Sequence, residues 1–384
     1  MSILYRTIQK SIESQMGKFP ILALTGPRQS GKTTFLRTFF EEYEYVSLEN
    51  PDLRQFATND PNEFLKRYNN KIIFDEVQLV PALFSYLQNI VDEQKIMGQF
   101  ILSGSQNFLL MQGITQSLAG RVAMFQMLPF DFAELKANNL LNSDYDAVCL
   151  KGFYPPVFDR DLNVSIFYKN YVKTYLEKDV RQLINVKEIR SFRAFLGMCA
   201  TRAGQMLNLN TIAADCGISQ PTARAWLTVL EASYIVFTLN PYYNNFNKRI
   251  VKTPKLFFYD TGLLCHLLNI KNVEVLEDSY MKGNIFENMV IAEYYKQNEH
   301  QYKLLDYWFW QDSNKNEVDL LTVEGDRFDI IEIKSTSTIM ENLFDNMNKF
   351  ESTSGNKVNS KTLVYGGKED QKRTKYTVKS WYNI

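Results

Sequence analysis

Short apolar runs alternate with helical patterns over the first third of the chain. Five runs have the length and content of buried strands, at residues 19–25, 45–48, 71–75, 99–103 and 122–128. Helical stretches separate them, and Pro129 closes the fifth run. Strands that alternate with helices in this way predict an α/β fold, with a parallel five-stranded sheet and crossover helices.

The pattern changes after this first region. Helical periodicity prevails over residues 131–190, apart from a turn at 152–156, and returns over 191–240. From residue 280 a helix leads into strands near Trp308, Val318 and Ile330. We therefore predict four regions: an α/β core at 1–130, a helical lid at 131–190, a winged-helix-like region at 191–275 and an α+β domain at 276–384.

Composition narrows the classes of partner. The chain has 43 basic and 43 acidic residues, so a nucleic acid would have to be met by a local basic patch. No apolar run is long enough to cross a bilayer, and the first residues lack a signal-peptide pattern, so we expect no membrane partner. The four cysteines lie far apart, which fits a reducing cytoplasm.

Residues 26–33 fit the phosphate-binding pattern G-x-x-x-x-G-K-[ST], between an apolar strand and a helix. Backbone N–H groups of such a loop face phosphates, and the helix N-terminus adds positive potential. Lys32 is expected to reach the β- and γ-phosphates of ATP, and Thr33 to bind Mg²⁺. The predicted nucleotide-binding residues are Gly26, Pro27, Arg28, Gln29, Ser30, Gly31, Lys32, Thr33 and Thr34.

A second motif argues against a chance glycine-rich turn. Residues 71–76 form an apolar strand that ends in two acids, Asp75 and Glu76. Asp75 is expected to hold Mg²⁺, and Glu76 to orient and polarise the attacking water. Kinases of small molecules do not need the second acid, because their substrate is the nucleophile. The pair therefore favours ATP hydrolysis over phosphoryl transfer.

Two further features bear on hydrolysis. Ser103 and Ser105 end the fourth strand, where either hydroxyl can contact the γ-phosphate or the water, or simply form a turn. Arg121 precedes the fifth strand, and its position resembles that of the arginine finger of AAA+ proteins, which would act on a neighbouring copy in a homo-oligomer. The alternative for Arg121 is a surface residue, or a partner of Glu134.

The sequence resembles the bacterial and archaeal AAA+-type ATPases that carry a helical, winged-helix-like middle and a C-terminal domain of long-uncharacterised function. The resemblance implies ATP binding, a five-stranded AAA+ core and a nuclease-like terminal fold, without one settled biological role. It rests on residues 26–34, 72–78, 103–105, 119–121, 128–130, 152–155, 175–180, 255–262, 283–287, 317–319 and 332–334.

The middle of the chain has the pattern of a helix-turn-helix. Residues 209–220 read as a helix, a glycine turn and the cap of a second helix, which Ser219 begins. Gln220, Arg224 and Thr228 share one side of that helix, a spacing compatible with the major groove of DNA. Residues 248–252 with Lys255 are basic and can contact phosphates. A packing or protein-docking role is the alternative.

Two predicted C-terminal strands carry a second set of acids. A hairpin through residues 324–326 would set Asp319 beside Glu332, with Lys334 on the same face as Glu332. This arrangement resembles the D…E-x-K site of restriction-type nucleases, in which Asp319 and Glu332 bind Mg²⁺ and Lys334 positions the water. Glu287, on the preceding helix, matches an additional acid of such sites. Val318 departs from that pattern, where proline often precedes the aspartate, and a cross-strand ion pair would look the same in sequence.

Two functions fit these patterns. In the first, an ATPase gates a C-terminal DNA-handling domain with nuclease chemistry at Asp319, Glu332 and Lys334. In the second, ATP switches a winged-helix scaffold that binds DNA or protein and has no nuclease activity. Both need Lys32 and Asp75.

Overall fold

A parallel five-stranded sheet forms the first part of the chain in the computed structural model, which describes residues 4–104, 110, 113–160, 162–176, 189–242 and 252–384. The strand order is β2-β3-β4-β1-β5, with every pair parallel. This confirms the predicted fold class. The strands are β1 (Ile21–Thr25), β2 (Glu44–Ser47), β3 (Ile72–Asp75), β4 (Phe100–Ser103) and β5 (Val122–Gln126).

Alternation along β1 explains how this sheet acquires two apolar faces. Ile21 and Ala23 pack into the cluster on one face, whereas Leu22 and Leu24 pack into the other. Because side chains of a strand alternate, a continuously apolar strand is buried on both sides. The helices that cover these faces are α1 (Ile8–Met16), α2 (Lys32–Phe39), α3 (Pro51–Asn59), α4 (Pro61–Arg67) and α5 (Leu83–Gln94).

Helices dominate the following part of the chain. They are α6 (Phe132–Ala137), α7 (Tyr145–Lys151), α8 (Pro155–Asp159), α9 (Val164–Tyr171), α10 (Ile189–Thr201), α11 (Leu209–Asp215), α12 (Gln220–Ala232), α13 (Thr261–Leu267), α14 (Val273–Glu277), α15 (Lys282–His300) and α16 (Asp345–Thr353). In the part of the chain that the structure describes, none of the helices is both long and apolar enough to span a bilayer.

Helices α11 and α12 are joined by a tight turn at Gly217, whose φ is 64°. Ser219 begins α12 by accepting a hydrogen bond from Thr222 N at 3.2 Å. Trp226 packs edge-on against Phe192 and Phe195 of α10. The side chains predicted to face a partner are exposed on α12, namely Gln220, Arg224 and Thr228. Lys248 and Arg249 of the predicted basic cluster lie outside the described residues.

A second sheet of eight strands joins the middle of the chain to its C-terminal part. The order is β12-β13-β11-β10-β9-β8-β6-β7. Its strands are β6 (Val236–Pro241), β7 (Lys255–Phe258), β8 (Trp308–Gln311), β9 (Glu317–Glu324), β10 (Arg327–Lys334), β11 (Val358–Tyr365), β12 (Gln371–Lys372) and β13 (Thr377–Ser380). Strands β6 and β7 fall within the predicted region 191–275, yet they extend the eight-stranded sheet. The limits of the four predicted domains stay predictions.

Candidate functional site

The phosphate loop joins β1 to α2, and two glycines allow its shape. Gly26 has a φ of 144°, and a Cβ atom there would lie 2.3 Å from the carbonyl oxygen of Met127. Gly31 caps α2 with a φ of 94°. Both backbone conformations lie in the region that favours glycine. The loop therefore packs directly against the residue that follows β5.

Lys32 is the buried cation of this loop. Its Nζ donates to the carbonyl oxygens of Gly26 and Pro27, each at 2.8 Å. Burial lowers the pKa of Lys32 to about 8, and the nearby Glu76 and Asp75 oppose that shift. A buried ammonium with little negative charge around it is stabilised when an anion binds next to it, so Lys32 is suited to contact a phosphate.

Asp75 ends β3 beside the loop and is shared by two hydroxyl groups. Thr33 Oγ1 donates to Asp75 Oδ2 at 3.2 Å, and the Tyr45 hydroxyl donates to the same oxygen. Burial, and then the hydrogen bond to Asp75, raises the pKa of Tyr45, so its hydroxyl stays a donor. The adjacent oxygens of Thr33 and Asp75 are the hard ligands that Mg²⁺ prefers, so these two residues fit the ion.

Glu76 adopts a left-handed backbone conformation, with φ 55° and ψ 40°, directly after β3. Gln78 is buried, and its Nε2 donates to Glu76 Oε2. Gly104 leaves room for this amide, because a Cβ atom at Gly104 would lie 2.4 Å from Gln78 Oε1. The structure thus holds the predicted catalytic acid with a neighbour two residues along, which the sequence reasoning did not assign.

Ser103 lies on β4 between the loop strand and the acidic strand. It is paired with Leu24 of β1 and with Asp75 of β3. The Oγ atom is buried and has no hydrogen-bond partner among the described residues. This placement agrees with the expected one between loop and acids, whereas the role of the hydroxyl stays a prediction. Ser105 lies outside the described residues.

Arg121 forms a bidentate pair with Asp92, with Nε–Oδ1 and Nη2–Oδ2 distances of 2.6 and 2.7 Å. The alternative pairing with Glu134 is wrong, because Glu134 is buried against Arg6 at 2.9 Å. Arg121 precedes β5, which runs parallel to β1. Arg121 therefore lies at the N-terminal end of the parallel strands, whereas the phosphate loop lies at their C-terminal end. The two are about one strand length, or about 17 Å, apart. Its role toward a neighbouring copy stays a prediction.

A cavity of about 470 Å³ covers the loop and both acids. Its volume is within the range of small-molecule sites. Gly26 and Pro27 contact the cavity residue Lys32 through their carbonyl oxygens, which accept from its Nζ. The predicted residues from Arg28 to Thr34 line one end with Asp75 and Glu76, and the rest of the wall includes Leu4, Arg6, Met127, Phe130, Pro155 and Pro156.

The β9–β10 hairpin brings together the predicted C-terminal residues. Asp319 Oδ2 accepts from Ile333 N at 2.7 Å and from Lys334 Nζ at 3.3 Å. Lys334 Nζ also contacts Glu332 Oε1 at 2.7 Å. Burial, and then the Asp319 charge, raises the pKa of Glu332 to about 8. Glu332 Oε2 is buried without a partner in the described part of the chain.

Glu287 of α15 joins the same cluster, together with two residues that the sequence reasoning did not place there. Lys255 Nζ contacts Glu287 Oε1 at 3.0 Å and Glu317 Oε1 at 2.5 Å. The predicted contact of Lys255 with phosphates is wrong, because β7 turns this side chain inward and leaves it 3% exposed. Burial raises the pKa of Glu287 to about 7. Oxygens of Glu287, Glu317 and Asp319 lie within 4.8 Å of one another, a spacing that fits a divalent cation.

A parallel sheet with the phosphate loop after its central strand and an Asp-Glu pair ending a neighbouring strand defines a P-loop nucleotide-binding protein of the AAA+ class. Comparison with known families agrees with this class. Residues 18–136 match the AAA domain family, and residues 142–274 and 282–383 match two domains of unknown function.

Relatives extend the match beyond the first region. Uncharacterized proteins of Mycobacterium tuberculosis and Mycobacterium bovis are each 31% identical over 347 residues, covering 88% of this chain and 75% of theirs. An uncharacterized protein of Methanocaldococcus jannaschii is 24% identical over 322 residues, with 75% and 69% covered. The chain therefore belongs to the same family as the two mycobacterial proteins, and its residues 18–136 carry an AAA domain.

Among solved structures, the Walker-type ATPase PABY2304 of Pyrococcus abyssi is similar at 16% identity and a TM-score of 0.44. The similarity covers 68% of this chain and 94% of that chain.

Proposed function

We propose that this protein is a Mg²⁺-dependent ATPase whose nucleotide cycle gates a C-terminal DNA-handling domain. One observation carries the hydrolytic part. Glu76 follows the Mg²⁺-binding candidate Asp75, lines the same cavity as Lys32 and is held by Gln78. A second acid in this place serves a water nucleophile, because transfer to a metabolite would not require it.

The loop residues bind and orient the phosphates in this mechanism. Backbone N–H groups of the loop and Lys32 contact the β- and γ-phosphates of ATP. Thr33 and Asp75 would hold Mg²⁺, whose charge would offset the negative charge of the phosphates. Glu76 orients the water in line with the γ-phosphate and accepts its proton as the bond from oxygen to phosphorus forms. The bond between the γ-phosphorus and the oxygen that bridges it to the β-phosphate breaks, and ADP and phosphate are the products. The Ser103 hydroxyl would contact the γ-phosphate or the water.

The C-terminal cluster supports metal-assisted cleavage of DNA as the gated chemistry. Asp319, Glu332 and Glu287 would hold Mg²⁺, whose charge would stabilise the phosphorane-like transition state. Lys334 lies 2.7 Å from Glu332, where its ammonium can orient a water. The exposed residues Gln220, Arg224 and Thr228 of α12 would contact the duplex.

A scaffold without nuclease activity is the second candidate, and the ion pairs of the C-terminal cluster favour it. Lys255 pairs with Glu287 and Glu317, and Lys334 already pairs with Asp319 and Glu332, so each of the four acids has a cation partner within the protein. A domain arranged in this way can bind DNA or protein in response to ATP without cutting. The two candidates differ in whether Asp319 and Lys334 carry an activity.

The first test is phosphate release by the purified protein, with and without duplex or single-stranded DNA. We expect Mg²⁺-dependent turnover that Lys32→Ala abolishes, and a loss of at least ~100-fold in Glu76→Gln with ATP still bound. Turnover that DNA does not change would contradict gating of a DNA-handling domain. Transfer to a metabolite without phosphate release would contradict hydrolysis.

The second test separates nuclease from scaffold. Plasmid DNA is incubated with ATP and Mg²⁺ beside Asp319→Asn and Lys334→Ala variants, whose ATP turnover is measured in parallel. Cleavage that both variants lose, with ATP turnover intact, supports the nuclease. DNA left uncut by the wild-type protein supports the scaffold.

Assembly through Arg121 has its own test. If this residue acts on the nucleotide of a neighbouring copy, turnover per protomer rises with protein concentration, and Arg121→Ala removes that rise. The Asp92→Asn variant serves as control, because it breaks the same surface pair and leaves the arginine in place. A turnover per protomer that does not change with protein concentration in the wild-type protein would rule out this role for Arg121.

A further inference from the structure

The segment that follows β5, residues 127–132, is held by buried side chains in addition to two backbone hydrogen bonds, from Met127 N to Thr25 at 2.8 Å and from Phe130 N to Phe153 at 2.9 Å. Leu128 N donates to His300 Nε2 at 3.1 Å, and the carbonyl oxygen of Leu128 accepts from Arg6 Nη2 at 2.6 Å. Lys296 Nζ donates to the carbonyl oxygen of Phe130 at 2.7 Å. Phe132 N donates to Glu293 Oε1 at 2.8 Å. Three of these four groups come from one helix, α15.

The side chains that make these contacts are buried polar groups, and each one has a partner. Arg6, Glu293, Lys296 and His300 are at most 3% exposed. Because Leu128 N can only donate, Nε2 of His300 is the acceptor and its Nδ1 carries the proton, which it donates to Asp131 Oδ2 at 2.8 Å. Glu293 Oε2 accepts no hydrogen bond among the described residues but lies 3.2 Å from Lys296 Nζ. A buried network of this kind favours one backbone geometry, since a displacement leaves further polar groups without a partner.

Arg6 ties this segment to the phosphate loop. Its Nη1 donates to the carbonyl oxygen of Ser30 at 2.9 Å, and its Nε pairs with Glu134 at 2.9 Å. One guanidinium thus bridges the loop, the segment after β5 and helix α6. Arg6 also lines the nucleotide cavity.

The other end of α15 carries the acid of the C-terminal cluster. Glu287 and His300 are 13 residues apart on this helix. At 1.5 Å per residue the separation is about 20 Å. Asn288, beside Glu287, exchanges two hydrogen bonds with the backbone of Phe258, at 2.8 and 2.7 Å. A single rigid element therefore contacts the surroundings of both sites.

We propose that Arg6 is a positioning residue for ATP hydrolysis, and that α15 couples the phosphate loop to the acids at Glu287 through His300 and residues 127–132. The proposal rests on the ATP binding of the proposed function and goes beyond it. When a bound nucleotide shifts the carbonyl group of Ser30, Arg6 moves with it, because its guanidinium donates to that oxygen. The carbonyl group of Leu128 then moves too, because it accepts from the same guanidinium. The segment and α15 then move together, because the contacts between them are buried and fully made.

The test uses the full chain and measures two quantities. The first is the split between kcat and ATP affinity in Arg6→Lys, whose ammonium cannot make the three guanidinium contacts at once. We expect kcat to fall about 10-fold, because a loop displaced by a fraction of an ångström misaligns the reacting groups. The ATP dissociation constant should change less than about 3-fold, because the backbone N–H groups of the loop remain. Arg67→Lys, on the exposed surface, is the control.

The second quantity is amide hydrogen exchange of residues 282–290, with and without ATP, in a Glu76→Gln background that retains the nucleotide. We expect ATP to slow exchange there, and Arg6→Lys or His300→Gln to abolish the effect. His266→Gln is the matched control, since His266 is the other histidine and lies outside the network. If Arg6→Lys does not fold, the Arg6→Gln, Glu134→Gln pair removes both charges and retains two amides.

Two results would overturn the proposal. One is an Arg6→Lys enzyme with wild-type kcat, and the other is an ATP effect at 282–290 that persists in both network variants. Failure of the ATPase proposal looks different. A wild-type protein that binds ATP without hydrolysing it would still show the exchange effect, whereas one that binds no ATP would overturn both proposals at once.

Discussion

The nucleotide site and the C-terminal cluster both place lysines beside carboxylates, and they differ in what neutralises the charge. Lys32 is held by two carbonyl oxygens in an open cavity, and its pKa is lowered by burial. Lys255 is held by two carboxylates, and their charges raise its pKa despite burial. The charge of Lys32 is neutralised only when an anion binds, whereas the charge of Lys255 is neutralised by carboxylates of the protein itself. A binding site and a structural ion pair can thus share the same residue types.

Replacing each lysine with methionine gives the largest expected difference. Lys255→Met removes a buried cation and leaves the half-buried Glu287 and Glu317 without it, so it should lower the free energy of unfolding by about 3 kcal/mol. Lys32→Met removes a buried charge that carries a desolvation cost, so it should change stability by no more than about 1 kcal/mol while abolishing ATP binding. Denaturant unfolding without nucleotide measures both.

Lys66→Met is the control for these variants, because its ion pair with Glu63 is exposed. Equal destabilisation by Lys255→Met and Lys32→Met would break the comparison.

The acids of the C-terminal cluster should also make stability depend on pH, and we expect this effect to be smaller than that of Lys255→Met. Glu332 and Glu287 have pKa values raised to about 8 and about 7 in the folded protein, from 4.5. Between pH 4.5 and about 8 the folded state therefore binds more protons than the unfolded state. Their contribution to stability is full below pH 4.5 and is lost as the pH rises to about 8.

The measurement is the unfolding free energy of Glu332→Gln and of the wild-type protein between pH 5 and 8.5. The variant should lose less stability with rising pH than the wild-type protein does, whereas the exposed Glu63→Gln control should not differ. Adding Mg²⁺ at pH 8 should restore stability to the wild-type protein if the acids bind the ion, since ligation favours deprotonated carboxylates. A slope unchanged in Glu332→Gln would mean that this carboxyl is ionised throughout.

The regions also differ in how much the sequence could predict. The loop residues 26–33 and the acids Asp75 and Glu76 lie in short motifs whose strand context can be read locally. The β9–β10 hairpin was predictable too, because its turn and strands are contiguous, and the structure pairs Arg327 with Glu324 beside that turn. These features depend on neighbours within about ten residues.

What the sequence could not show are contacts between distant segments. Lys255 looked like part of a basic surface patch because of its charged neighbours, yet pairing of β7 with β6 turns it toward Glu317, 62 residues further on. Tyr45 reaches Asp75 because β2 lies next to β3. Arg6 contacts Glu134 across 128 residues. No local pattern specifies such pairs, since they follow from strand order and helix docking.

Gln78 provides the smallest expected change and the sharpest test of the nucleotide site. Gln78→Ala removes the amide that holds Glu76 and leaves the acid on its left-handed backbone. We expect kcat to fall about 10-fold with ATP affinity retained, because the misplaced carboxylate orients water less well. Stability should change little, since Gln78 Oε1 has no partner among the described residues.

Gln55→Ala, exposed on α3, is the control for this variant, and single-turnover phosphate release is the measurement. Should Gln78→Ala raise kcat, the contact would be a restraint that keeps Glu76 from the water until nucleotide or a partner releases it. The nucleotide site would then resemble the C-terminal cluster, in which neighbouring lysines pair with the acids.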